Sequence, residues 1–219
     1  DPAGLAFAPG LSSTGAEVAR ALGWCHLDTG SLYRGLTRVA LDAGAMDDPP
    51  AILAAASARH LHLRLDGREI VVLLDGRPAE SRLRGPEIAA AVSRVAAWPE
   101  VRDWANRQFR SVVEAGGATV LDGRDIGTAV FPDAPLKIFL TASPEVRAGR
   151  RLRQAGHQAS PEELAREALR LSARDTADAT RAVAPLRRAP DAIEVDTSQL
   201  TLAGQVEQIV GLARRIWLP

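Results

Sequence analysis

Val120-Leu-Asp-Gly-Arg-Asp-Ile-Gly-Thr-Ala-Val130 is the stretch around which the rest of the chain is arranged. The apolar residues Ala118–Leu121 predict the end of a short buried strand, and the polar turn Asp122–Gly127 follows directly. In open α/β sheets, ligands bind beyond the carboxyl ends of the strands. There Arg124 can grip a phosphate through two parallel N–H bonds, while Asp125 can accept hydrogen bonds from a base or sugar. An isolated Gly-Arg-Asp would more often be a salt-bridged turn than a ligand-binding site. The patterns in the rest of the chain favour the binding site instead.

Outward from this stretch, strand and helix patterns alternate, which predicts an α/β fold with a parallel sheet flanked by helices. Further strands are predicted at Trp24–Leu27, Leu136–Leu140 and Ala192–Asp196, and helices at Ser12–Leu22, from Leu32 to about Ala43, at Pro86–Ala97, Pro99–Glu114, from Pro144, at Pro161–Ala173 and at Leu202–Trp217.

Two segments interrupt this alternation and predict small lobes. His60–Leu65 and Glu69–Leu74 alternate apolar and polar residues on either side of an Asp-Gly turn, which predicts an antiparallel β insert over about residues 58–84. An arginine-rich helical hairpin over about residues 151–181 predicts a second mobile lobe. The remaining ranges, 1–57, 85–150 and 182–219, form the predicted core of a single domain.

Composition sets the broad class. The chain has 219 residues, 46% of them apolar and 25% charged, which is typical of a globular domain with a proper core. Lys+Arg and Asp+Glu are both 27, so the chain has no net positive charge that would attract nucleic acid or an anionic membrane. The single cysteine, Cys25, excludes an internal disulfide framework and fits a reducing compartment. We therefore expect a cytoplasmic protein without membrane or nucleic-acid partners.

The first fifteen residues mix Gly, Pro and Ser with little periodicity and predict a loop. A helix follows, with Ser12 or Ser13 as its N-cap. A glycine-containing loop that leads into a helix N-terminus is a generic phosphate cradle, because free N–H groups and the helix dipole converge there. Gly10, Ser12 and Ser13 are the candidate residues of this cradle.

Jointly, four blocks resemble the bacterial-type cytidylate kinases, a family of P-loop nucleoside monophosphate kinases. The resemblance runs from about Leu11 to the C-terminus. The blocks are Leu27-Asp-Thr-Gly-Ser-Leu-Tyr-Arg34, Ala90-Ala-Val-Ser-Arg-Val-Ala-Ala97 with Pro99-Glu-Val-Arg102, Asp122-Gly-Arg-Asp-Ile-Gly-Thr128 with Val130-Phe-Pro-Asp-Ala134, and Thr180-Arg-Ala-Val-Ala-Pro-Leu186.

The resemblance implies roles on the acceptor side of the site. Arg34 and Arg124 would hold the acceptor 5′-phosphate, with Thr29 nearby. The cytosine edge would be read by Ser93, Arg102 and Asp125. Asp178 would bind the ribose, and the catalytic set would be Arg124, Arg174 and Arg181, the last two reaching over the phosphates being joined.

On the donor side, the resemblance implies that Arg150 and Arg151 begin a lid that closes over ATP. The implied activity is transfer of a phosphoryl group from ATP to CMP, and to dCMP, with Mg²⁺ held by Ser12 and the phosphates and not by a side-chain cluster. A monomer is expected. The alternative is a kinase-like module that binds CMP but is impaired in catalysis.

That alternative arises at the phosphate loop, which in the family reads Gly-x-x-x-x-Gly-Lys-Ser/Thr after a buried strand. An ungapped alignment from Leu22 backwards puts Leu11 on the lysine and Gly4 at the loop start, with about four extra residues within Leu5–Pro9 and the strand missing or reduced to Leu5–Ala8. A rival alignment takes Gly10–Gly15 as the loop. In both the lysine is absent, and the first cation, Arg20, lies about 12 Å along the helix from its cap.

Three explanations for this departure stay open. The sequence could be a truncated or altered copy of an ordinary kinase, a naturally degenerate nucleotide binder, or an enzyme with a rebuilt loop. The first is preferred, because the residues on the acceptor side are intact.

Overall fold

The computed structural model describes residues 4–8, 12–154, 156 and 158–217, and the side chains of these from Ser13 onward. The strands are β1 (Gly4–Ala8), β2 (Cys25–Asp28), β3 (His62–Asp66), β4 (Glu69–Leu74), β5 (Arg77–Pro78), β6 (Thr119–Asp122), β7 (Leu136–Thr141) and β8 (Ile193–Asp196). The α-helices are α1 (Ser12–Leu22), α2 (Thr29–Asp42), α3 (Pro49–Ala58), α4 (Pro86–Val95), α5 (Pro99–Gly116), α6 (Pro144–Gln154), α7 (Pro161–Thr180) and α8 (Leu202–Trp217). A 3₁₀ turn covers Glu80–Leu83, and a π-helical turn covers Ile126–Val130.

One sheet organises the molecule, in the order β3-β4-β2-β6-β1-β7-β8, with β5 paired to β4. From β4 to β8 neighbouring strands are parallel, and β6 lies near the middle, between β2 and β1. The predicted α/β fold with a mostly parallel sheet flanked by helices is confirmed. The strand that precedes the polar turn therefore ends at the centre of the sheet edge.

The prediction that residues 1–15 form a loop is wrong for the described part of that range. Gly4–Ala8 form β1, which pairs in parallel with β6 on one side and β7 on the other. Pairing with two neighbours outweighs the weak local preference of a Gly- and Ala-containing segment, since strand formation depends mainly on such tertiary context. The reduced strand at Leu5–Ala8 is thus present, and the four extra loop residues placed within Leu5–Pro9 lie largely in it.

The antiparallel insert is confirmed as a hairpin. β3 and β4 pair antiparallel in the register His62↔Leu73 to Asp66↔Glu69. The hairpin also joins the main sheet, because His26 of β2 pairs in parallel with Glu69. Whether the insert moves as a separate lobe stays a prediction.

Two apolar cores cover the two faces of the sheet. Val120 and Leu121 belong to different cores, since successive side chains of a strand point to opposite faces. One core packs α2, α3 and α5 against the sheet, with Leu27, Leu36 and Phe109 fully buried; the other packs α1 and α8. No helix of the described ranges is long and apolar enough to cross a membrane.

The second helix of the predicted lid is longer than expected. It was predicted to end near Ala173, whereas α7 continues to Thr180. A capping box at Ser160 and Glu163 starts the helix, and the buried Asp178 near its end holds the last turn against the core. Arg174 and Asp178 therefore lie on one helical face, and Arg181 follows as the C-cap.

Candidate active site

The site lies where β2 and β6 end. Asp28 caps α2, with its Oδ1 accepting a hydrogen bond from the Gly30 amide at 2.9 Å, and its Oδ2 lies 2.9 Å from Nη2 of Arg34. The Thr29 hydroxyl donates to the carbonyl of Asp122 at 2.6 Å. These contacts fasten the first turn of α2 to the end of β6, so Thr29 lies beside the polar turn and Arg34 follows on the next turn of α2.

The turn itself has a restrained geometry. A Cβ at position 123 would lie 2.5 Å from Cδ1 of Ile126 and 2.6 Å from the Thr29 hydroxyl, so only glycine fits there. The following residues form the π-helical turn, in which the Phe131 amide donates to the carbonyl of Ile126 at 2.7 Å. Such turns are frequent at functional sites. The close packing fixes where Arg124 and Asp125 point.

Arg102, Asp125 and Arg181 form one largely buried group, which we call the base-side cluster after the role that the resemblance implies for Arg102 and Asp125. Arg102 is only 2% exposed; its guanidinium pairs with Asp125 and donates to the Ala96 carbonyl at 3.0 Å. Nη2 of Arg181 lies 3.4 Å from Oδ1 of Asp125, and the same guanidinium donates to the Ala184 carbonyl. The resemblance implies that Arg181 reaches over the phosphates, whereas its closest contacts in the structure are with Asp125 and the Ala184 carbonyl.

Asp178 connects three parts of the chain. Its Oδ1 accepts from the Ser93 hydroxyl at 3.2 Å, and its Oδ2 accepts from Nε of Arg124 at 3.1 Å. Arg181 and Arg174 lie 3.8 and 3.9 Å from the same carboxylate. Asp178 is thus surrounded by four other predicted site residues, although Ser93 and Asp178 are 85 positions apart in the sequence.

Four further arginines lie close enough for their charges to act on one another. We call them the phosphate-side cluster, after the role that the resemblance implies for Arg34 and Arg124: Arg34, Arg124, Arg151 and Arg174. Burial, followed by the charge of Arg124, lowers the pKa of Arg174 to about 10, and the charges of Arg151 and Arg34 act in the same direction. Nε of Arg34 and Nε of Arg174 are buried without a hydrogen-bond partner among the described residues. Guanidiniums this close and incompletely paired predict a multiply charged anion as ligand.

The lid arginines differ in their surroundings. Arg151 belongs to the phosphate-side cluster and pairs with Glu167 at 3.0 Å. Arg150 donates to the hydroxyl of Thr197 at 3.0 Å and to the carbonyl of Leu200 at 3.1 Å, in the loop after β8. A role of either residue in binding ATP stays a prediction.

The donor side is only partly described. Gly10 and Leu11 lie outside the described residues, and of Ser12 only the backbone is described. The Ser13 hydroxyl is 3.3 Å from Nε2 of Gln154, which brings the end of α6 next to the start of α1. Among the described residues, no group of three or more His, Cys, Asp or Glu side chains could hold a metal ion.

Sequence analysis missed a buried pair at the end of β6. Nε2 of His26 lies 2.8 Å from Oδ2 of Asp122, and Nδ1 lies 3.8 Å from Glu69. Burial raises the pKa of Asp122 to about 6. The available signal was Asp122, the first aspartate of Asp122-Gly-Arg-Asp125, which directly follows the buried apolar residues of β6; nothing in the sequence identified His26 as its partner.

Comparison with known proteins gives a consistent result. A sequence model of the family described as cytidylate kinase matches residues 4–215. A cytidylate kinase from Nocardia farcinica is 42% identical over 201 residues, covering 91% of this chain and 87% of that protein. One from Streptomyces griseus is 43% identical over 205 residues (93% and 87%), and one from Chromobacterium violaceum is 43% identical over 204 residues (93% and 90%).

Proposed function

Because the chain belongs to the cytidylate kinase family, we propose that it transfers the γ-phosphoryl group of ATP to CMP and dCMP, giving ADP and the cytidine diphosphates. The observation that carries the proposal is the division of one candidate site into two clusters of side chains. A phosphate-side cluster of four arginines adjoins a buried base-side cluster of Arg102, Asp125 and Arg181. A nucleoside monophosphate likewise has a charged phosphate at one end and a polar base at the other.

The acceptor would be held along this division. Arg34 and Arg124 grip the 5′-phosphate, and Arg174 and Arg151 lie beside them to meet the incoming γ-phosphate. Ser93, Arg102 and Asp125 read the cytosine edge, and Asp178 takes the ribose hydroxyls. Nucleotide contacts would exchange with the Ser93–Asp178 and Arg124–Asp178 hydrogen bonds of the protein, so binding would rearrange the network around Asp178.

Phosphoryl transfer to a phosphate needs little general-base help, because the acceptor is already an anion. The protein must align two polyanions and neutralise charge on the transferred group, which arginines can do in a partly desolvated pocket. Mg²⁺ bound to the donor would neutralise β- and γ-phosphate charge. Mg²⁺ is usually held through substrate phosphates and few protein ligands. Ser12 is the proposed protein ligand.

The test is a coupled ADP-release assay with ATP, Mg²⁺ and one nucleoside monophosphate at a time, with the cytidine product identified by mass spectrometry. We expect ADP release that depends on CMP or dCMP and is much weaker with UMP or AMP. Equal rates with AMP and CMP would leave a generic monophosphate kinase. ADP release that is independent of any acceptor would contradict the proposal.

A second candidate, a CMP-binding module impaired in catalysis, is favoured by one observation. β1 ends at Ala8 and α1 begins at Ser12, so only residues 9–11 connect them, and no cation precedes Arg20 in the sequence. The family's loop is longer and carries a lysine. A CMP titration run beside the ADP assay separates the candidates, because the impaired module would bind CMP with little or no ADP release.

A further inference from the structure

Tyr33, the only tyrosine of the chain, is held rigidly on α2 next to the base-side cluster. Its ring packs edge-on against Phe109, with 6.0 Å between ring centroids. The guanidinium carbon of Arg102 lies 5.4 Å from the Tyr33 centroid, within range of a cation–π contact. The residue is 8% exposed. The position of its hydroxyl is therefore fixed by packing and not by a hydrogen bond.

The hydroxyl of Tyr33 is buried and has no hydrogen-bond partner among the described residues. Buried tyrosine hydroxyls normally find a partner, and leaving one unmatched costs the folded protein its desolvation free energy. An unmatched hydroxyl on a residue that contacts Arg102 of the candidate site is explained most directly by a ligand that supplies the partner.

The charges around the hydroxyl show which end of the pocket it faces. Burial raises the pKa of Tyr33 to about 12, and the three strongest charge effects on it come from Arg102, Asp125 and Arg181, with Asp103 after them. All three belong to the base-side cluster, and no arginine of the phosphate-side cluster acts on it. The hydroxyl is thus protonated at physiological pH and can donate or accept a hydrogen bond at the base end of the site.

We propose that the Tyr33 hydroxyl is a further specificity-determining group, which hydrogen-bonds the base of the bound nucleotide and completes the recognition begun by Ser93, Arg102 and Asp125. This inference rests on the proposed function. The packing against Phe109 and Arg102 holds the hydroxyl in place before the nucleotide arrives, so little ordering is needed on binding.

The test compares Tyr33→Phe with the wild-type chain by calorimetric titration with CMP and with ribose 5-phosphate, which keeps the phosphate and sugar but lacks the base. Removing the hydroxyl should weaken CMP binding about 10-fold, because a base atom is left unpaired in a desolvated pocket. Ribose 5-phosphate affinity should stay within about two-fold, since its contacts are elsewhere. The ligand-free variant should melt no lower than wild type, because the group removed has no partner to lose.

Thr37→Val is the matched control. Thr37 is also fully buried on α2, but its hydroxyl donates within the helix to the Tyr33 carbonyl at 2.8 Å. This variant should leave the ratio of CMP to ribose 5-phosphate affinity unchanged.

Three results would overturn the inference. Unchanged CMP affinity in Tyr33→Phe, with normal CMP binding by the wild type, would overturn this inference but not the proposed function. Equal losses for CMP and ribose 5-phosphate, together with a lower melting temperature, would show a structural role. Absence of CMP binding by the wild-type chain would overturn both this inference and the proposed function.

Discussion

Arg124 lies between the two clusters, with its Nε donating to Asp178 and its charge acting on Arg174. Arg124→Ala should weaken CMP binding at least about 10-fold and slow turnover, because a charge-assisted contact is lost from a partly desolvated site. Arg124→Lys should not restore binding, since an ammonium lacks the planar fork that binds two phosphate oxygens. Calorimetric titration with CMP measures both effects.

Arg188→Ala is a suitable control for Arg124, because Arg188 is half-exposed and pairs with Glu194 away from the site. It should bind CMP like the wild type. CMP affinity within two-fold of wild type in Arg124→Ala would show that Arg124 is a structural turn residue.

The buried pair of His26 and Asp122 makes the stability of the protein depend on pH. Burial raises the pKa of Asp122 to about 6. For His26, burial opposes the charged form, but the hydrogen bond and charge of Asp122 outweigh it and raise the pKa above its ordinary value. The contribution of Asp122 to stability is fully present below its unfolded pKa of about 3.9 and is lost as pH rises through its folded pKa of about 6. The contribution of His26 is fully present below its unfolded pKa of about 6.5 and is lost as pH rises through its raised folded pKa.

The free energy of unfolding should therefore fall by about 1–2 kcal/mol between pH 5.5 and pH 8.0. The double variant His26→Gln/Asp122→Asn keeps polar partners but titrates at neither position, so its stability should change less over the same interval. Urea unfolding at the two pH values measures the difference. The same slope in wild type and double variant would show that other groups cause the pH dependence.

At the scale of elements, the link between β1 and α1 is the most unusual part of the molecule. The rival alignment, which made Gly10–Gly15 the phosphate loop, is wrong for its described part, because residues 12–15 belong to α1. The preferred alignment placed Gly4 in the loop, and this is wrong because Gly4 opens β1. Three residues are left where the family has a complete cradle, so the link is shorter and not longer than expected.

A lysine in this loop places positive charge on the β- and γ-phosphates, and losing one such preorganised donor typically costs about 10²–10³ in rate. The chain should bind CMP normally but turn over at least about 100-fold slower than the roughly 1–100 s⁻¹ of typical kinases. Leu11→Lys should recover part of this deficit, and the uncharged Leu11→Met should recover none. The ADP-release assay measures all three proteins.

Ordinary turnover of the unmodified chain would mean that residues 9–11 serve the donor phosphates in another way. Absence of any gain from Leu11→Lys would mean that Leu11 does not occupy the place of the lysine.

The elements differed in how well the sequence predicted them. α8 agrees with its predicted bounds, and β7 and α5 differ by one or two residues, because their apolar patterns are strong and Pro99 marks the start of α5. β1 was missed because its pairing with β6 and β7 is non-local. Among site residues, motif spacing indicated Arg124 and Asp178, but only three-dimensional packing revealed the isolated hydroxyl of Tyr33 and the partner of Asp122.

At the scale of the whole molecule, Asp178 ties the predicted lid to the rest of the protein. Through it, α7 is hydrogen-bonded to Ser93 on α4 and to Arg124 after β6. A nucleotide that binds between these elements must contact all three, so the order of the substrate pocket depends on lid and core together. We therefore expect recognition of the base to depend on the assembled site and not on one motif.

The relative affinities for different nucleotide bases are the most direct test of the proposed cytosine site. Calorimetric titration of the full chain with CMP, UMP and AMP should show CMP binding at least about 10-fold tighter than UMP, and AMP hardly binding. The reason is that a buried site built from paired polar groups rejects a base that leaves them unmatched. Equal affinity for AMP and CMP would contradict the account, because Ser93, Arg102 and Asp125 would then not be reading a cytosine edge.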